Sequence, residues 1–451
     1  MSAPRLRDYL SYGVGMTGNQ IMRDVPTALL LFYMTNALLI PPAYAGFAIL
    51  LPKIWVILAD PVVGMLSDRT RGRWGARKPF LFVGAVVSFV AFVMLFNVAV
   101  PSSPLLATCV VGLLYLLVAT GYSIYSVPYL TLAAEIGRES RERTRALSYK
   151  QYFCLVGVLA GLSFAPWLIE RLGGDKSAYG TMAWVVGAIM LVTTLATAVL
   201  VPVRQPLAAS PRIEGHMLAQ VRDAFRHRPF RIVFVAALLQ LIGFGVTQGG
   251  GLYFLIYTMR LSMDVMGVSI LASVAGSGLA QILWVRLANR AGPVRAYRVA
   301  SFYAAVVAGA VLLVPTGNVW AYVVYGFVSG TASSGYTLLS FASLVEAIAL
   351  DGPDSPRKGL FAAAYTAMEK ATLAIGGFLV AMALSFAEFQ QGAPAADQPQ
   401  SALLAIPVVY VGVPAVLKLI SGLVLGRYFA TPATSPMEPA ASHEPPICPA
   451  T

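Results

Sequence analysis

The chain has few of the residues from which catalytic and metal sites are usually built. Its 451 residues include only three cysteines and three histidines, and 12% of the residues are charged. The histidines do not lie beside a nucleophile or a second metal ligand, and the sequence has no glycine-rich phosphate loop. Three irregularly spaced cysteines do not indicate a disulfide framework. We therefore expect no enzymatic activity, no metal site and no cofactor.

Long apolar runs are what the sequence has in excess. The chain is 58% hydrophobic with a mean hydropathy of +0.72, which is more apolar surface than a soluble domain can bury. Twelve runs are long enough to cross a bilayer. These predicted spans 1 to 12 are residues 14–40, 43–67, 79–100, 104–134, 146–172, 178–202, 230–258, 265–289, 297–315, 319–349, 358–386 and 402–427. The sequence predicts an all-α polytopic membrane protein.

The basic residues lie mainly in the short loops between spans. Placing both termini in the cytoplasm leaves only Arg171, Lys176 and Arg260 in loops on the opposite side, as the positive-inside rule requires. The net charge of +12 therefore reflects membrane topology, and nucleic acid is not an expected partner. Five basic residues instead lie within or at the edges of spans: Arg23, Lys53, Lys150, Lys370 and Lys418.

The chain divides into two halves of six spans. We predict an N-terminal unit over 1–202, a cytoplasmic linker over 203–229, a C-terminal unit over 230–429 and a disordered tail over 430–451, which is rich in proline and small residues. The end of span 4, LAAEIGRE, is weakly echoed by SLVEAIALDG in span 10. Part of the linker either forms an amphipathic helix on the inner leaflet or is a plain solvated segment.

The stretch from Leu51 to Phe82 carries the most specific pattern. Asp60 precedes Pro61 inside span 2, and a carboxylate at bilayer depth is retained where it faces protein or water and has a function. A basic loop follows, and it contains Gly64, Asp68, Arg69, Arg73, Trp74, Gly75, Arg77 and Lys78. A generic basic turn would explain the charges but not this order of residues.

This loop resembles the loop between helices 2 and 3 of the major facilitator superfamily. Its form is that of the glycoside-pentoside-hexuronide cation symporters, the family of melibiose permease. The resemblance implies two six-helix bundles around a central cavity and secondary transport of a sugar, glycoside or uronate. It also implies that Asp68 and Arg69 face the cytoplasmic ends of neighbouring helices and hold one end state.

The resemblance assigns individual residues to a site. Ile-Met-Arg23-Asp24 matches the span 1 segment whose aspartate binds sugar in that family. Lys370 falls on its span 11 lysine, which links the cation and sugar sites. Ser126 and Gln151 stand where the family has a second sugar-binding carboxylate and an arginine, so melibiose itself is not the expected substrate.

The predicted coupling site departs from the family pattern. Val56 and Ala59 replace a carboxylate and a polar residue, which leaves Asp60 and Ser123 as the remaining cation ligands. A hard metal cation needs more oxygens than these two groups supply, whereas one carboxylate suffices to carry a proton. We therefore expect coupling to protons, or no coupling, rather than coupling to sodium.

Further polar residues within spans are expected to face the same cavity. Lys53 lies two helical turns before Asp60 and shares its face, Lys150 lies near one end of span 5, and Glu369 and Thr366 flank Lys370 in span 11. Each charge could instead be structural. The cavity set has one more cation than carboxylates, which favours an anionic solute such as a uronate.

Two other functions fit the same spans. A lysolipid or other amphiphile transporter of the superfamily would need a cavity that opens laterally, whereas a non-transporting sensor or scaffold would not depend on Asp60 or Lys370. We expect a monomer in the bacterial inner membrane, with membrane lipid and a small solute as its partners.

Overall fold

The computed structural model describes residues 5–70, 74–99, 101, 103–136, 140–202, 227–349 and 358–429. These ranges are almost entirely helical, as predicted, and contain no strand. The predicted tail lies outside the described residues, as does the predicted linker except for residues 227–229.

Spans 1 to 6 occupy the N-terminal half. Their helices are Leu6–Phe32, Pro42–Arg69, Lys78–Phe96, Pro104–Ile136, Ser140–Val158 followed by Ala165–Arg171, and Lys176–Leu200. A π-helical turn, Tyr33–Ala37, extends span 1, and another, Leu159–Phe164, joins the two parts of span 5.

Spans 7 to 12 occupy the C-terminal half. Their helices are Arg228–Tyr253, Asp264–Ala291, Pro293–Ala310, Val319–Ala349, Lys358–Phe386, and Gln400–Pro407 followed by Val413–Phe429. The π-helical turns Phe254–Thr258 and Val408–Gly412 lie in spans 7 and 12, and a short 3-10 turn, Val311–Leu313, ends span 9.

Span 1 begins at Leu6 and not near residue 14 as predicted. The first turns of this helix contain polar and small residues, so their hydropathy does not reveal them. Their structure comes from local bonding and packing: the backbone N–H of Arg5 donates to Asp8 Oδ2 at 3.0 Å, which satisfies a free donor at the helix start. Tyr9 and Tyr12 are then buried in the core.

Within the described residues, ten of the spans are long and apolar enough to cross a membrane. Spans 1 and 10 fall short because glycine, serine and threonine interrupt their apolar residues. In span 1 these polar residues are buried inside the protein: Thr17 and Gln20 are each 2% exposed and Asp24 is 6% exposed. Such composition is typical of an interior helix that contacts lipid little.

The spans pack as two six-helix bundles. Within the first, span 1 packs on spans 5 and 6, and span 4 packs on spans 2 and 3. Within the second, span 7 packs on spans 11 and 12, and span 10 packs on spans 8 and 9. The bundles meet where span 1 faces span 7, span 2 faces span 11, and span 5 faces span 8. The site described below lies along this junction.

Hydrogen bonds close the junction at the end remote from the start of span 1 and the end of span 12. Thr35 and Tyr253 share a 2.5 Å hydrogen bond, and Tyr257 donates to Asn36 Oδ1 at 2.6 Å. On the opposite flank, Ser163 donates to the carbonyl of Gly267 at 3.0 Å. A Cβ at Gly267 would lie 2.8 Å from the backbone oxygen of Ser163, so the bundles approach this closely only because the residue is glycine.

Candidate functional site

Asp60 lies inside span 2, and its carboxylate connects three helices. Ser123 of span 4 donates to Oδ1, and Lys370 of span 11 forms an ion pair with Oδ2. The side chains of Asp60 and Lys370 are 21% and 16% exposed. Pro61 lacks an N–H, so span 2 loses one backbone hydrogen bond directly beside the carboxylate. The ion pair joins the N-terminal bundle to the C-terminal bundle.

Asp24 is the centre of a second polar cluster, on span 1. Arg23 Nε donates to Oδ1 at 2.9 Å and Gln20 Nε2 donates to Oδ2 at 2.8 Å. Cys154 of span 5 then donates to Gln20 Oε1 at 3.4 Å. Both carboxylate oxygens are therefore engaged, which compensates for the burial of this charge.

A second ion pair crosses between the bundles. Arg23 Nη1 lies 3.9 Å from Glu369 Oε1, and Glu369 directly precedes Lys370 in span 11. The side chain of Glu369 is 45% exposed, so this contact is weaker than a buried pair. Two consecutive residues of span 11 thus contact two different charged groups of the N-terminal bundle.

A cavity of about 20 Å³ lies among these residues. Arg23, Lys53, Lys370, Tyr115 and Tyr122 contribute to its lining. Lys53 Nζ is 5.7 Å from the centre of the Tyr115 ring, and Lys370 Nζ is 5.5 Å from that of Tyr122, which is the range of cation–π attraction. Among the described residues, Lys53 has no carboxylate within ion-pair distance. Lys53 is therefore the one cation of the described lining without a direct ion-pair partner, since Arg23 contacts Asp24 and Glu369 and Lys370 contacts Asp60.

Other predicted site residues lie away from this cavity. Ser126 is buried, at 2% exposure, whereas Gln151 is exposed and Lys150 is half-buried on span 5. None of these three side chains lines the cavity. The side chain of Thr366 lies outside the described residues. Their predicted roles in substrate binding stay predictions.

An ion pair stabilises the loop after span 2. Asp68 Oδ1 lies 2.5 Å from Arg77 Nη1, and Arg77 also donates to Ser67 Oγ at 2.7 Å. Arg69 is exposed at the last position of span 2, and Arg73 lies outside the described residues. A Cβ at Gly64 would meet only Val127, at an ordinary 3.7 Å. The structure thus gives Asp68 a definite partner directly before the next helix.

Sequence reasoning missed Gln20, Tyr115 and Tyr122. Gln20 had a detectable signal, because it stands four residues before Asp24 and therefore on the same helical face. The two tyrosines had none, because tyrosine is common in apolar runs and its role here depends on which helix packs opposite.

The sequence of this chain is similar to those of known membrane transport proteins. Residues 11–431 match the family described as MFS/sugar transport protein. The chain belongs to this family. Members with similar sequences include the inner membrane symporter YicJ of Escherichia coli (strain K12), which is 22% identical over 433 residues, or 94% of this chain and 92% of that protein. The putative glycoside/cation symporter YagG of the same strain is 24% identical and covers 96% of this chain and 94% of that protein.

Solved structures confirm the fold of this family member. A mutant form of the nucleoside transporter NupG superposes with a TM-score of 0.67 at 16% identity and covers 92% of this chain and 99% of that chain. This similarity confirms the predicted major facilitator fold. The family match and the symporters among the relatives confirm the resemblance to cation symporters. The cytoplasmic placement of both termini stays a prediction.

Proposed function

We propose that the chain is a symporter that moves a sugar, glycoside or uronate across the bacterial inner membrane, with Asp60 as its proton-coupling residue. The observation that carries the proposal is the Asp60–Lys370 ion pair between the two bundles. Family membership and the symporters among the relatives support the transport function. Alternating access arises when one bundle rocks against the other around the site.

The ion pair supplies a mechanism for coupling. In the unloaded carrier, ionised Asp60 and Lys370 form a charge-neutral pair, which lowers the cost of keeping both charges inside the protein. Protonation of Asp60 breaks the attraction and frees Lys370, which already lines the cavity beside Tyr122. The freed ammonium can then contact the solute. Release of solute and proton restores the pair and allows the empty carrier to return.

The surroundings of Asp60 favour a proton over sodium. The neighbours at Val56 and Ala59 are buried and apolar, at 2% and 9% exposure. Ser123 contributes one hydroxyl oxygen, and Lys370 occupies the second carboxylate oxygen. A hard metal cation held by protein takes about six oxygen ligands, and the described groups on Asp60 supply far fewer. A proton needs only the carboxylate.

In the arrangement described, the cavity has room for only about one water molecule, so a solute enters when the bundles separate further. Its lining favours a polar and preferably anionic solute. Of its three cations, Arg23 and Lys370 are paired with Asp24 and Asp60, whereas Lys53 has no described carboxylate partner. A lysolipid would instead need an apolar groove, and the cations lining this cavity disfavour that alternative.

Transport in reconstituted vesicles tests the proposal. Purified protein in proteoliposomes would be given neutral glycosides, uronates and lysolipids, with and without an imposed pH gradient. We expect gradient-driven uptake of a sugar or uronate by the wild type and none by Asp60→Asn. Asp397→Asn, at an exposed loop carboxylate, is the matched control and should transport normally. Lysolipid movement, or gradient-driven uptake by Asp60→Asn, would contradict the proposal.

A further inference from the structure

A larger cavity lies inside the C-terminal bundle, away from the junction. Its volume is about 160 Å³, well above the roughly 10–15 Å³ that one water molecule needs. Spans 7, 8, 9, 10 and 12 enclose it. Its polar lining is made largely of hydroxyl and amide groups, contributed by Thr247, Gln248, Ser269, Ser273, Ser329 and Ser333.

Lys418 of span 12 is the one charged side chain in the described lining. It is 9% exposed, and among the described residues its Nζ makes no ion pair and no hydrogen bond. Its recorded contact is with the Tyr336 ring, whose centre is 5.7 Å away. A buried ammonium without a counter-ion is strongly disfavoured. A bound anion would supply the missing counter-ion, and the cavity offers space for it beside Lys418.

An unpartnered amide lies at the same depth in the bundle. Gln240 of span 7 is 1% exposed, and neither its Nε2 nor its Oε1 has a hydrogen-bond partner. Spans 7 and 12 are antiparallel here: Ser421 donates to the carbonyl of Ala236 at 2.9 Å, and Gly243 packs on Pro414. This register places Gln240 at the level of Lys418. The Gln240 amide and the Lys418 ammonium thus lie at the same depth of the bundle, and neither has a described hydrogen-bond or ion-pair partner.

The rest of the cavity suits a ring with hydroxyl groups. Tyr322, Tyr325 and Tyr336 contribute aromatic faces, and a Cβ at Gly251 would meet no atom within 4 Å. Aromatic walls with a few polar groups that fix orientation are characteristic of small-molecule sites. Acidic residues, which would repel an anion, are absent from the described lining.

We propose that this cavity is a second solute site, which binds a sugar acid through Lys418 and holds its hydroxyls with the serine and tyrosine side chains. The inference rests on the proposed function, because it takes the ligand from the transported class. The two sites then have different functions. The site at the bundle junction couples transport to protons, and the Lys418 cavity selects for a carboxylate or sulfonate.

Site-specific protection tests this assignment. Cys109, Cys154 and Cys448 would be replaced by serine in the full chain, and Ser333→Cys would place a single thiol in the Lys418 cavity. Methyl glucuronide should slow modification of this thiol by a small methanethiosulfonate at least fivefold, and methyl glucoside should not. Lys418→Gln should abolish the protection, whereas Lys176→Gln, at an exposed lysine, should retain it.

Calorimetric titration of the purified protein gives an independent measure. Gly251→Leu fills the cavity without changing its charge and should weaken glucuronide binding at least tenfold, as Lys418→Gln should. Equal protection by both sugars, protection that persists in Lys418→Gln, or no protection in the Ser333→Cys protein with Lys418 intact would overturn the proposal. Failure of every sugar to enter vesicles would contradict the proposed transport function, whereas the thiol-protection results report on this cavity alone.

Discussion

Lys370 of span 11 is ion-paired with Asp60 of span 2, so one contact both joins the two bundles and occupies the predicted coupling carboxylate. The contact requires spans 2 and 11 to pack together at this depth. Any proton that binds Asp60 must compete with the lysine. The proposed coupling places conformational change and proton binding at this one contact.

The first prediction concerns this pair as a structural unit. Lys370→Met leaves Asp60 without its counter-ion and should destabilise the protein by about 1–3 kcal/mol, less than for a fully buried pair because both side chains are partly exposed. The double variant Asp60→Asn with Lys370→Met removes both charges and should recover most of the loss. Thermal unfolding in detergent measures both. A double variant less stable than Lys370→Met would show that the charges do not act as a pair.

The second prediction concerns the loop ion pair between Asp68 and Arg77. Asp68→Asn and Arg77→Gln should each slow turnover several-fold with little change in substrate affinity, because the pair stabilises one end state and does not touch the solute cavity. The double variant should be no slower than Arg77→Gln alone, since Arg77→Gln already removes the ion pair together with the hydrogen bond to Ser67. Rates and affinities from vesicle uptake separate the two effects. Parallel loss of affinity and rate would mean that the loop shapes the binding site.

The third prediction concerns the closed end of the junction. Tyr257→Phe removes the hydrogen bond to Asn36 and keeps the ring, so the closed arrangement should lose about 1 kcal/mol, or roughly a fivefold shift in population. Labelling of Ile49→Cys in a cysteine-free background reports the shift, because Ile49 packs against Gly377 of the other bundle. We expect faster labelling in Tyr257→Phe.

Tyr303→Phe is the control for this experiment, because it removes a hydrogen bond to Thr331 within the C-terminal bundle. It should leave the labelling rate unchanged. Equal acceleration by both variants would show a general loosening of the protein and not an opening of the junction.

Much of the fold could be predicted because membrane spans are encoded locally. Apolar runs located all twelve spans, and the largest error, at the start of span 1, occurred where a helix of small and polar residues is buried by other helices. Hydropathy measures transfer into lipid, so it does not detect a helix that is shielded from lipid by its own protein.

The residues of the site could be predicted from the sequence, but which of them form ion pairs could not. Asp60 could be singled out as a charge at bilayer depth, yet the sequence leaves either Lys53 or Lys370 as its counter-ion, and the packing of span 11 on span 2 decides for Lys370. Lys53 shares a helix face with Asp60, but it lies against Tyr115 instead. Contacts between helices that lie far apart in the chain determine which side chains pair, and a single sequence does not reveal these contacts.

The tyrosines that close the junction illustrate the same limit. Tyr253 and Tyr257 lie in an apolar run of span 7 and have no distinguishing spacing. Their function is visible only when Thr35 and Asn36 of span 1 are placed opposite them.

Proton coupling through Asp60 is the central claim, and substrate affinity measured against pH and sodium tests it most directly. Binding would be measured in wild type and Asp60→Asn, from about pH 5.5 to 8 and with millimolar sodium added or omitted. If the solute binds the protonated carrier, wild-type affinity should fall as pH rises and should not respond to sodium, whereas Asp60→Asn should bind independently of both. Tightening by sodium that disappears in Asp60→Asn would contradict the account and show that further ligands complete a sodium site around this carboxylate.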